Sequence, residues 1–338
     1  MRLLLTGATG FVGGAALRAF LDAGHRVRAL VRDPRGLPGD LAAHPALETH
    51  AGSLVSPDSL QGLGAGVDAV VHLAGVVDAP RAADFQRVNC DGTRRLAEAV
   101  ARAAPQAIWV QVSSLAATGP GDPSRDSDPP QPVSEYGRSK LAGEQVLGQA
   151  WPGPRVVLRA AAVYGPGDVG FLPFFRAAAA GRVNALPAKG PARLSLVHVD
   201  DLVAALQLAV AGGAALERGR VLHIAAPERP SPRELLAAIA TAVGGRSRIV
   251  SVPTALLWTV AALATPSRRL WGRPRYLSLD KARELTAAAW CCEADGATAA
   301  LGWVPRYTLA AGLAHTAAAY ASAGLLPKSA TAAARSAT

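Results

Sequence analysis

The chain has little cysteine (Cys90, Cys291 and Cys292), a single methionine, and aromatics at only 5% of its 338 residues. An odd cysteine count with two of the three adjacent builds no disulfide framework, and no pair has zinc-finger spacing. The seven histidines contain no HExxH pattern, and no two stand four residues apart, so no dedicated metal site is expected. This cysteine usage fits a reduced, cytoplasmic location. Long apolar runs are missing too. The strongest in the second half, Ala255 to Ala264, is too short to span a bilayer, and leaves at most a weak peripheral contact with a membrane surface. Met1-Arg2-Leu3-Leu4-Leu5 imitates a signal peptide, but glycine interrupts it at Gly7, so the segment reads as a buried strand. Lysine is scarce as well: four of the 35 basic residues. Against 25 acids the net charge is +10, yet the arginines are scattered, with no basic run of five and no interleaved aromatics. That pattern predicts a solvated surface able to attract an anionic cofactor, and no nucleic-acid partner.

Half of the residues are hydrophobic and 18% are charged, so the chain can bury a sizeable core. Its first third alternates strand and helix signals. Arg2 to Thr6 is an apolar run ending in glycines, and Phe11 to Ala23 has helical spacing closed by Gly24. Strands are expected at 27–31, 47–51, 67–73 and 108–112, with one long helix from about Ala83 to Ala104. A loop rich in Pro, Gly, Asp and Ser follows from Thr118 to Pro132, then a helix from about Ser134 to Gln149 and a strand at 155–159. This βαβ rhythm predicts a parallel sheet with helices on both faces. Beyond Gly165 the pattern is mixed. It suggests helices near 171–181, 201–211, 231–244, 254–264 and 309–322, and short strands near 194–198, 220–224 and 247–252. The expected organisation is a nucleotide-binding domain over 1–165, to which some later elements return, a substrate lobe mainly over 166–325, and a disordered tail over 326–338.

Three motifs carry chemistry. In Thr6-Gly7-Ala8-Thr9-Gly10-Phe11-Val12-Gly13, three glycines at spacing three follow a strand and open a helix. A pyrophosphate needs such close backbone approach, at a helix N-terminus whose free N–H groups and dipole favour negative charge. The second strand ends in Val31-Arg32-Asp33-Pro34. Arg32 can fork onto a ribose 2′-phosphate, which favours NADP(H), while Asp33 could instead face the ribose and keeps NAD(H) possible. In Tyr136-Gly137-Arg138-Ser139-Lys140 the i, i+4 spacing puts phenol and ammonium on one helix face. A nearby positive charge favours the phenolate, so the spacing predicts a lowered tyrosine pKa and proton exchange with an alcohol or carbonyl. Val110-Gln111-Val112-Ser113-Ser114 ends the fifth strand, where ligands of open parallel sheets bind, and a serine there can hydrogen-bond a substrate oxygen.

Together these residues resemble the extended short-chain dehydrogenase/reductase, or epimerase/dehydratase, family over about residues 1–325. Leu73-Ala74-Gly75, Val88-Asn89 with Gly92-Thr93, Val163-Tyr164-Gly165-Pro166-Gly167-Asp168 and Val197-His198-Val199-Asp200-Asp201 add to the likeness. The resemblance implies an α/β Rossmann fold, a doubly wound parallel sheet with a smaller mixed α/β C-terminal substrate lobe. It also implies a Ser114–Tyr136–Lys140 triad: Tyr136 as acid/base, Lys140 on the nicotinamide ribose, and Ser114 on the substrate oxygen. Gly7, Thr9, Gly10, Phe11, Val12, Gly13, Arg32, Ser53, Leu54, Leu73, Ala74, Gly75, Asn89, Tyr136, Lys140 and Val163 would contact the cofactor. Ser53 stands where relatives often carry an acid for the adenine, and Ala160 replaces a frequent proline after Arg159. A homodimer is common in the resembling family.

Departures from the family pattern narrow the chemistry. Leu115 and Ala116 follow Ser114 where 4,6-dehydratases of this type carry Asp-Glu, and two apolar side chains cannot eliminate water. Leu194 stands four residues before His198, where sugar-nucleotide enzymes tend to place a diphosphate-clamping arginine, and His198 itself reads as a packing residue. The apolar stretch Pro253 to Pro266, the segment from Pro274 to Leu285, and Leu301-Gly302-Trp303-Val304-Pro305 are similar to the 3β-hydroxysteroid dehydrogenase branch. The expected activity is interconversion of a secondary alcohol and a ketone on a hydrophobic, steroid- or terpenoid-like small molecule. A sugar-nucleotide epimerase and a non-catalytic NADP sensor are the alternatives.

Overall fold

In the computed structural model, residues 1–212, 219–271 and 278–327 are described, with 265–271 described by backbone alone. The end of the expected tail, 328–338, and the start of the segment read from Pro274 lie outside them. The chain opens with β1 (Arg2–Thr6), α1 (Phe11–Asp22), β2 (Arg26–Val31), β3 (Leu47–Ala51) and β4 (Ala69–His72). It continues with α2 (Ala82–Phe85), α3 (Asp91–Ala101), β5 (Ile108–Ser114), α4 (Leu115–Thr118), β6 (Gly121–Ser124), α5 (Glu135–Ala150), β7 (Arg155–Ala160) and β8 (Ala162–Tyr164). Then come α6 (Leu172–Ala179), β9 (Val183–Pro187), β10 (Leu196–His198), α7 (Val199–Gly212), β11 (Arg220–Ile224), α8 (Pro232–Ala242) and β12 (Arg248–Val252). The last elements are α9 (Thr254–Trp271), α10 (Leu279–Leu285), β13 (Trp290–Cys292), α11 (Asp295–Leu301) and α12 (Leu309–Ser322).

Seven strands form one parallel sheet in the order β11-β7-β5-β4-β1-β2-β3. Both faces are covered, and the two faces explain the near-continuous apolar strands. Leu3 and Leu5 point to one side, with Val27, Val71, Val110, Leu158 and Ile224, beneath α1, α7 and Trp303. Leu4, on the opposite pleat, joins Val70, Trp109, Leu96 of α3 and Leu147 of α5. Each leucine so enclosed contributes roughly 1.5–3 kcal/mol over its exposed state. Successive strands run outward in opposite directions from β1, so a crevice opens beyond the carboxyl ends of β1 and β4, the place where such sheets take ligands.

The later elements form a second packed group. Leu172 and Phe175 of α6, Leu236 and Ile239 of α8, and Leu313 and Tyr320 of α12 share a core with Leu326. Short parallel pairs β8–β10, β9–β12 and β6–β13 tie it to the main sheet, while β11 returns to that sheet beside β7. One expected helix is different in kind. The stretch read as continuous from Ala83 to Ala104 is α2, a π-helical turn over Gln86–Cys90, and α3. A wide turn of this sort carries no 3.6-residue signature, and such bulges gather at functional sites. Asn89 sits in it. No helix among the described residues is long and apolar enough to cross a membrane.

Candidate active site

The glycine turn is built by contact as well as by conformation. Gly7 has φ +79°, a left-handed backbone, and a Cβ there would lie 2.8 Å from the Ala74 nitrogen. A Cβ at Gly13 would stand 1.9 Å from the Gly7 carbonyl oxygen, so only glycine lets α1 pack this closely on the turn. Gly10 caps α1 without any side-chain bond, and no acid occupies the first turn. Thr9 and Gly10 are exposed, with Phe11 and Val12 half-buried behind them. A helix N-terminus left bare in this way fits a dinucleotide pyrophosphate.

Strand register brings the other segments to the same edge. Thr6 pairs with Leu30 and with His72, and His72 with Gln111, which aligns the ends of β2, β1, β4 and β5. Arg32, just past β2, is exposed and has no hydrogen bond or ion pair among the described residues. Asp33 is committed elsewhere. Its carboxylate accepts the backbone N–H of Arg35 at 3.0 Å and pairs with that guanidinium at 2.8 Å, which holds its pKa below the usual carboxylate range. The turn carrying both folds against Thr9, with a Cβ at Gly36 reaching 3.3 Å from the Thr9 methyl. Farther along the edge, the Ser53 N–H donates to Ser59 Oγ at 2.9 Å, and buried Leu54 fits against α3 where a Cβ at Gly92 would approach it to 2.9 Å. Leu73 and Ala74 are half-buried beside the glycine turn, and Val163 on β8 packs against the core it shares with α7.

A chain of hydrogen bonds runs from the glycine turn to the tyrosine helix. Ala74 N–H donates to Thr6 Oγ1 at 3.1 Å, and Thr6 Oγ1 is 2.6 Å from His72 Nδ1. His72 Nε2 lies 3.1 Å from Thr93 Oγ1, which donates to the Asn89 carbonyl at 2.8 Å. Because Thr93 spends its proton on that carbonyl, His72 must carry its own on Nε2 and accept from Thr6 on Nδ1. A neutral ring satisfies every partner, and burial, with the nearby Lys140 charge, pushes the His72 pKa down to about 3. Asn89 continues the chain: its amide donates to the Val76 carbonyl and to Ser139 Oγ, both at 2.9 Å, and its oxygen accepts the Val76 N–H at 2.8 Å. Ser139 donates to the Tyr136 carbonyl at 2.7 Å.

Helix α5 approaches its neighbours through glycine. A Cβ at Gly137 would lie 2.2 Å from the Ala116 carbonyl oxygen, and one at Gly143 would lie 2.5 Å from that of Asn89. Ser134 caps the helix by accepting the Gly137 N–H at 3.0 Å. Tyr136 and Ser114 meet, the serine hydroxyl bonding to the phenol while its oxygen also accepts the Ala116 N–H at 3.1 Å. Lys140 Nζ donates to the Val112 carbonyl at 2.7 Å, and a Cβ at Gly75 would be 3.8 Å from it and 2.9 Å from Asn89 Oδ1. The gap over Gly75 is therefore flanked by an amide and an ammonium.

The expected lowering of the Tyr136 pKa is not found in the free protein. Burial pushes the phenol up to about 12; the bond from Ser114 pulls the other way, and the Glu284 charge adds to the rise. Desolvation also brings Lys140 down to about 8, against the opposing charge of Glu144. Taking a charge out of water outweighs the helix-face neighbour here, and the ammonium points to a carbonyl.

Two groups of residues were not legible as site components. Glu144 is buried, bonded to Ser113 and paired with buried Arg159 at 2.7 Å, beneath Lys140. Its i, i+4 relation to Lys140 was a usable signal. From α10, Asp280 accepts the N–H groups of Glu135 at 2.6 Å and Tyr136 at 3.3 Å. With Glu284, Phe85, Val77 and Ser278 it lines a cavity of about 40 Å³ beside the phenol. No spacing rule links positions 145 residues apart. His198 is a packing residue: it accepts the Asp200 N–H at 3.2 Å and stacks on Tyr307 at 3.9 Å.

A parallel sheet in this order, with a glycine turn at its crevice and Tyr-x-x-x-Lys on the facing helix, defines the extended short-chain dehydrogenase/reductase class. The chain belongs to the NAD dependent epimerase/dehydratase family, whose model matches residues 3–225. It is an NAD(P)-dependent enzyme of the kind that acts on CH–OH and C=O groups. It is 35% identical to a ceramide reductase of Caulobacter vibrioides over 335 residues, 96% of either chain. It is 30% identical over 235 residues to a 3-beta-hydroxysteroid dehydrogenase of Mycolicibacterium neoaurum, covering 63% of each. Among solved structures, MoeE5 in complex with UDP-glucuronic acid and NAD matches with a TM-score of 0.71 and 26% identity, covering 94% of this chain and 97% of that one.

Proposed function

We propose that this protein is an NADP(H)-dependent ketone reductase whose substrate is a long-chain, lipid-like molecule of the ceramide type, interconverting its secondary alcohol and ketone. The single observation that carries this reading is a protonated, half-buried phenol at Tyr136, bonded by Ser114, at the edge of a cavity lined by Val77, Phe85, Asp280 and Glu284, and one helix turn from Lys140. The likeness to the Caulobacter ceramide reductase across 96% of both chains supports the substrate class. The apolar Leu115 and Ala116, and Leu194 in place of a clamping arginine, count against dehydration and against a sugar diphosphate.

A dinucleotide held in this crevice would supply a hydride for the substrate's carbonyl carbon. Tyr136 gives its phenolic proton to the carbonyl oxygen, so carbon gains a C–H bond and oxygen an O–H bond. A phenol that holds its proton at neutral pH is suited to that direction. Ser114 bonds to the same oxygen and steadies its developing charge. Lys140 and Asn89, flanking the Gly75 gap, would hold the nicotinamide ribose, and the ammonium would stabilise the phenolate left behind. The α1 N-terminus would receive the pyrophosphate, Arg32 a 2′-phosphate, Ser53 and Leu54 the adenine side, and Val163 the nicotinamide side. The substrate lobe is drawn mainly from residues 166–325, with α7, β11 and Trp303 returning to the main sheet. The test is cofactor oxidation with NADPH and NADH across N-acyl amino-ketone lipids, steroid ketones and UDP- or dTDP-sugars. NADPH consumption with the lipid ketones is expected; epimerisation of a sugar nucleotide without net cofactor consumption would replace this reading with the epimerase.

A further inference from the structure

We propose that Glu144 is a positioning residue for Lys140: fixed in place by Arg159 and Ser113, its buried carboxylate keeps the lysine charged beside the Gly75 gap. The proposal rests on the place of Lys140 in the reaction proposed above. Lys140 and Glu144 lie one turn apart on one face of α5. Ser113 and Arg159 are register partners on β5 and β7, so both side chains leave the sheet on the face that α5 covers. Arg159 donates to the Glu144 carboxylate through Nε at 3.0 Å and Nη2 at 2.7 Å, and Ser113 donates to the same carboxylate. The remaining guanidinium nitrogen, Nη1, donates to Thr118 Oγ1 at 3.2 Å. The Arg159 and Glu144 side chains are only 5% and 7% exposed, so these bonds stand in for the water both charges have lost. Ser113 itself sits between Val112, whose carbonyl takes the Lys140 ammonium, and Ser114, which bonds to Tyr136. One buried carboxylate thereby fixes the strand end that serves both groups.

Other charges do not share this task. His72 of β4 is held neutral, and Tyr136 keeps its proton. Cys90 of the π-helical turn is a buried thiol pushed toward its neutral form. On α2, the same turn and α3, Asp84 pairs with Arg87 at 3.1 Å and Asp91 with Arg94 at 2.9 Å toward the surface. Arg95 reaches the Leu54 carbonyl at 3.3 Å, and Glu98 is exposed. From α10, Asp280 and Glu284 stand by the phenol, and Glu284 pairs with Lys281 at 2.8 Å. β5 and α4 carry no charged residue. Among the described residues, Glu144 is therefore the acid whose charge reaches the ammonium, and it opposes the burial that drives Lys140 toward a neutral amine.

The experiment is an NMR titration of the free full chain with its lysines isotopically labelled at Cε. Lys140 is one of four lysines, and a Lys140→Met variant identifies its signal. In wild type that signal should titrate near pH 8. In Glu144→Gln/Arg159→Met, which removes the buried pair as a unit, the midpoint should fall to about pH 7 or below. A packing role alone has the opposite sign, because a loosened site admits water and lets the lysine rise toward 10.5. The variant's kcat for ketone reduction should be about fivefold lower at pH 8, with the deficit shrinking below about pH 7. An unchanged or raised midpoint overturns the proposal. So does a wild-type Lys140 already uncharged at neutral pH, a result that needs no variant. A midpoint that falls in a protein inactive toward every ketone tested supports the proposal and sinks the ketone-reductase reading; ketone reduction without that fall does the reverse.

Discussion

Asp280 caps the helix of Tyr136 from 144 residues away, its carboxylate taking the tyrosine's own backbone N–H at 3.3 Å and that of Glu135 at 2.6 Å. The N-terminus of α5 thus has two caps: Ser134 from its own sequence and an acid from α10. The cavity that α10 leaves beside the phenol is about 40 Å³, so a substrate of the class proposed above would enter only if α10 shifted.

Asp280→Asn replaces one acceptor oxygen with a donor that faces an N–H group. The expected result is a drop of about tenfold in kcat/KM and a loss of about 1 kcal/mol in stability. Steady-state kinetics and thermal unfolding check both; unchanged kinetics with lowered stability would make Asp280 a structural cap alone.

Tyr136→Phe removes the exchangeable proton and little volume. Turnover should fall by about 10²–10⁴-fold while NADPH affinity, read by fluorescence titration, stays within about twofold. Unchanged turnover would remove Tyr136 from the mechanism.

Arg32→Ala should weaken NADPH about 10- to 100-fold and NADH by about threefold at most, because a charge-assisted fork to a 2′-phosphate has no counterpart in NADH. Asp33 is occupied by Arg35, so it does not compensate. Equal losses for the two cofactors would contradict the preference.

Acid should destabilise the protein through His72. Its pKa is near 3 in the fold and 6.5 when free, so between those values the unfolded chain binds the extra proton. The contribution is fully present above pH 6.5 and is lost as pH falls toward 3. In His72→Gln the decline of the melting temperature across this window should be shallower than in wild type. Parallel declines would show that carboxylates elsewhere account for the acid sensitivity.

The glycine turn, the strand-end serines and the Tyr136–Lys140 pair could be read directly, because each is a local pattern with a fixed spacing. The parallel sheet followed from apolar strands alternating with helices. What could not be read has a common cause in distance or burial. Asp280 and Glu284 reach the phenol through tertiary packing alone. The π turn at Asn89 has the same composition as a helix. Desolvation reversed the expected pKa of Tyr136, since spacing shows a neighbouring charge but not how much water the fold removes.

The central claim is that a hydride and the Tyr136 proton arrive together on a ketone. The most direct measurement uses NADPH deuterated at the transferring position, an N-acyl amino-ketone lipid, and mass spectrometry of the alcohol. The account predicts one deuterium at the carbinol carbon with wild type and almost none with Tyr136→Phe. Unlabelled alcohol from wild type, or labelled alcohol formed at the same rate by the variant, would contradict it.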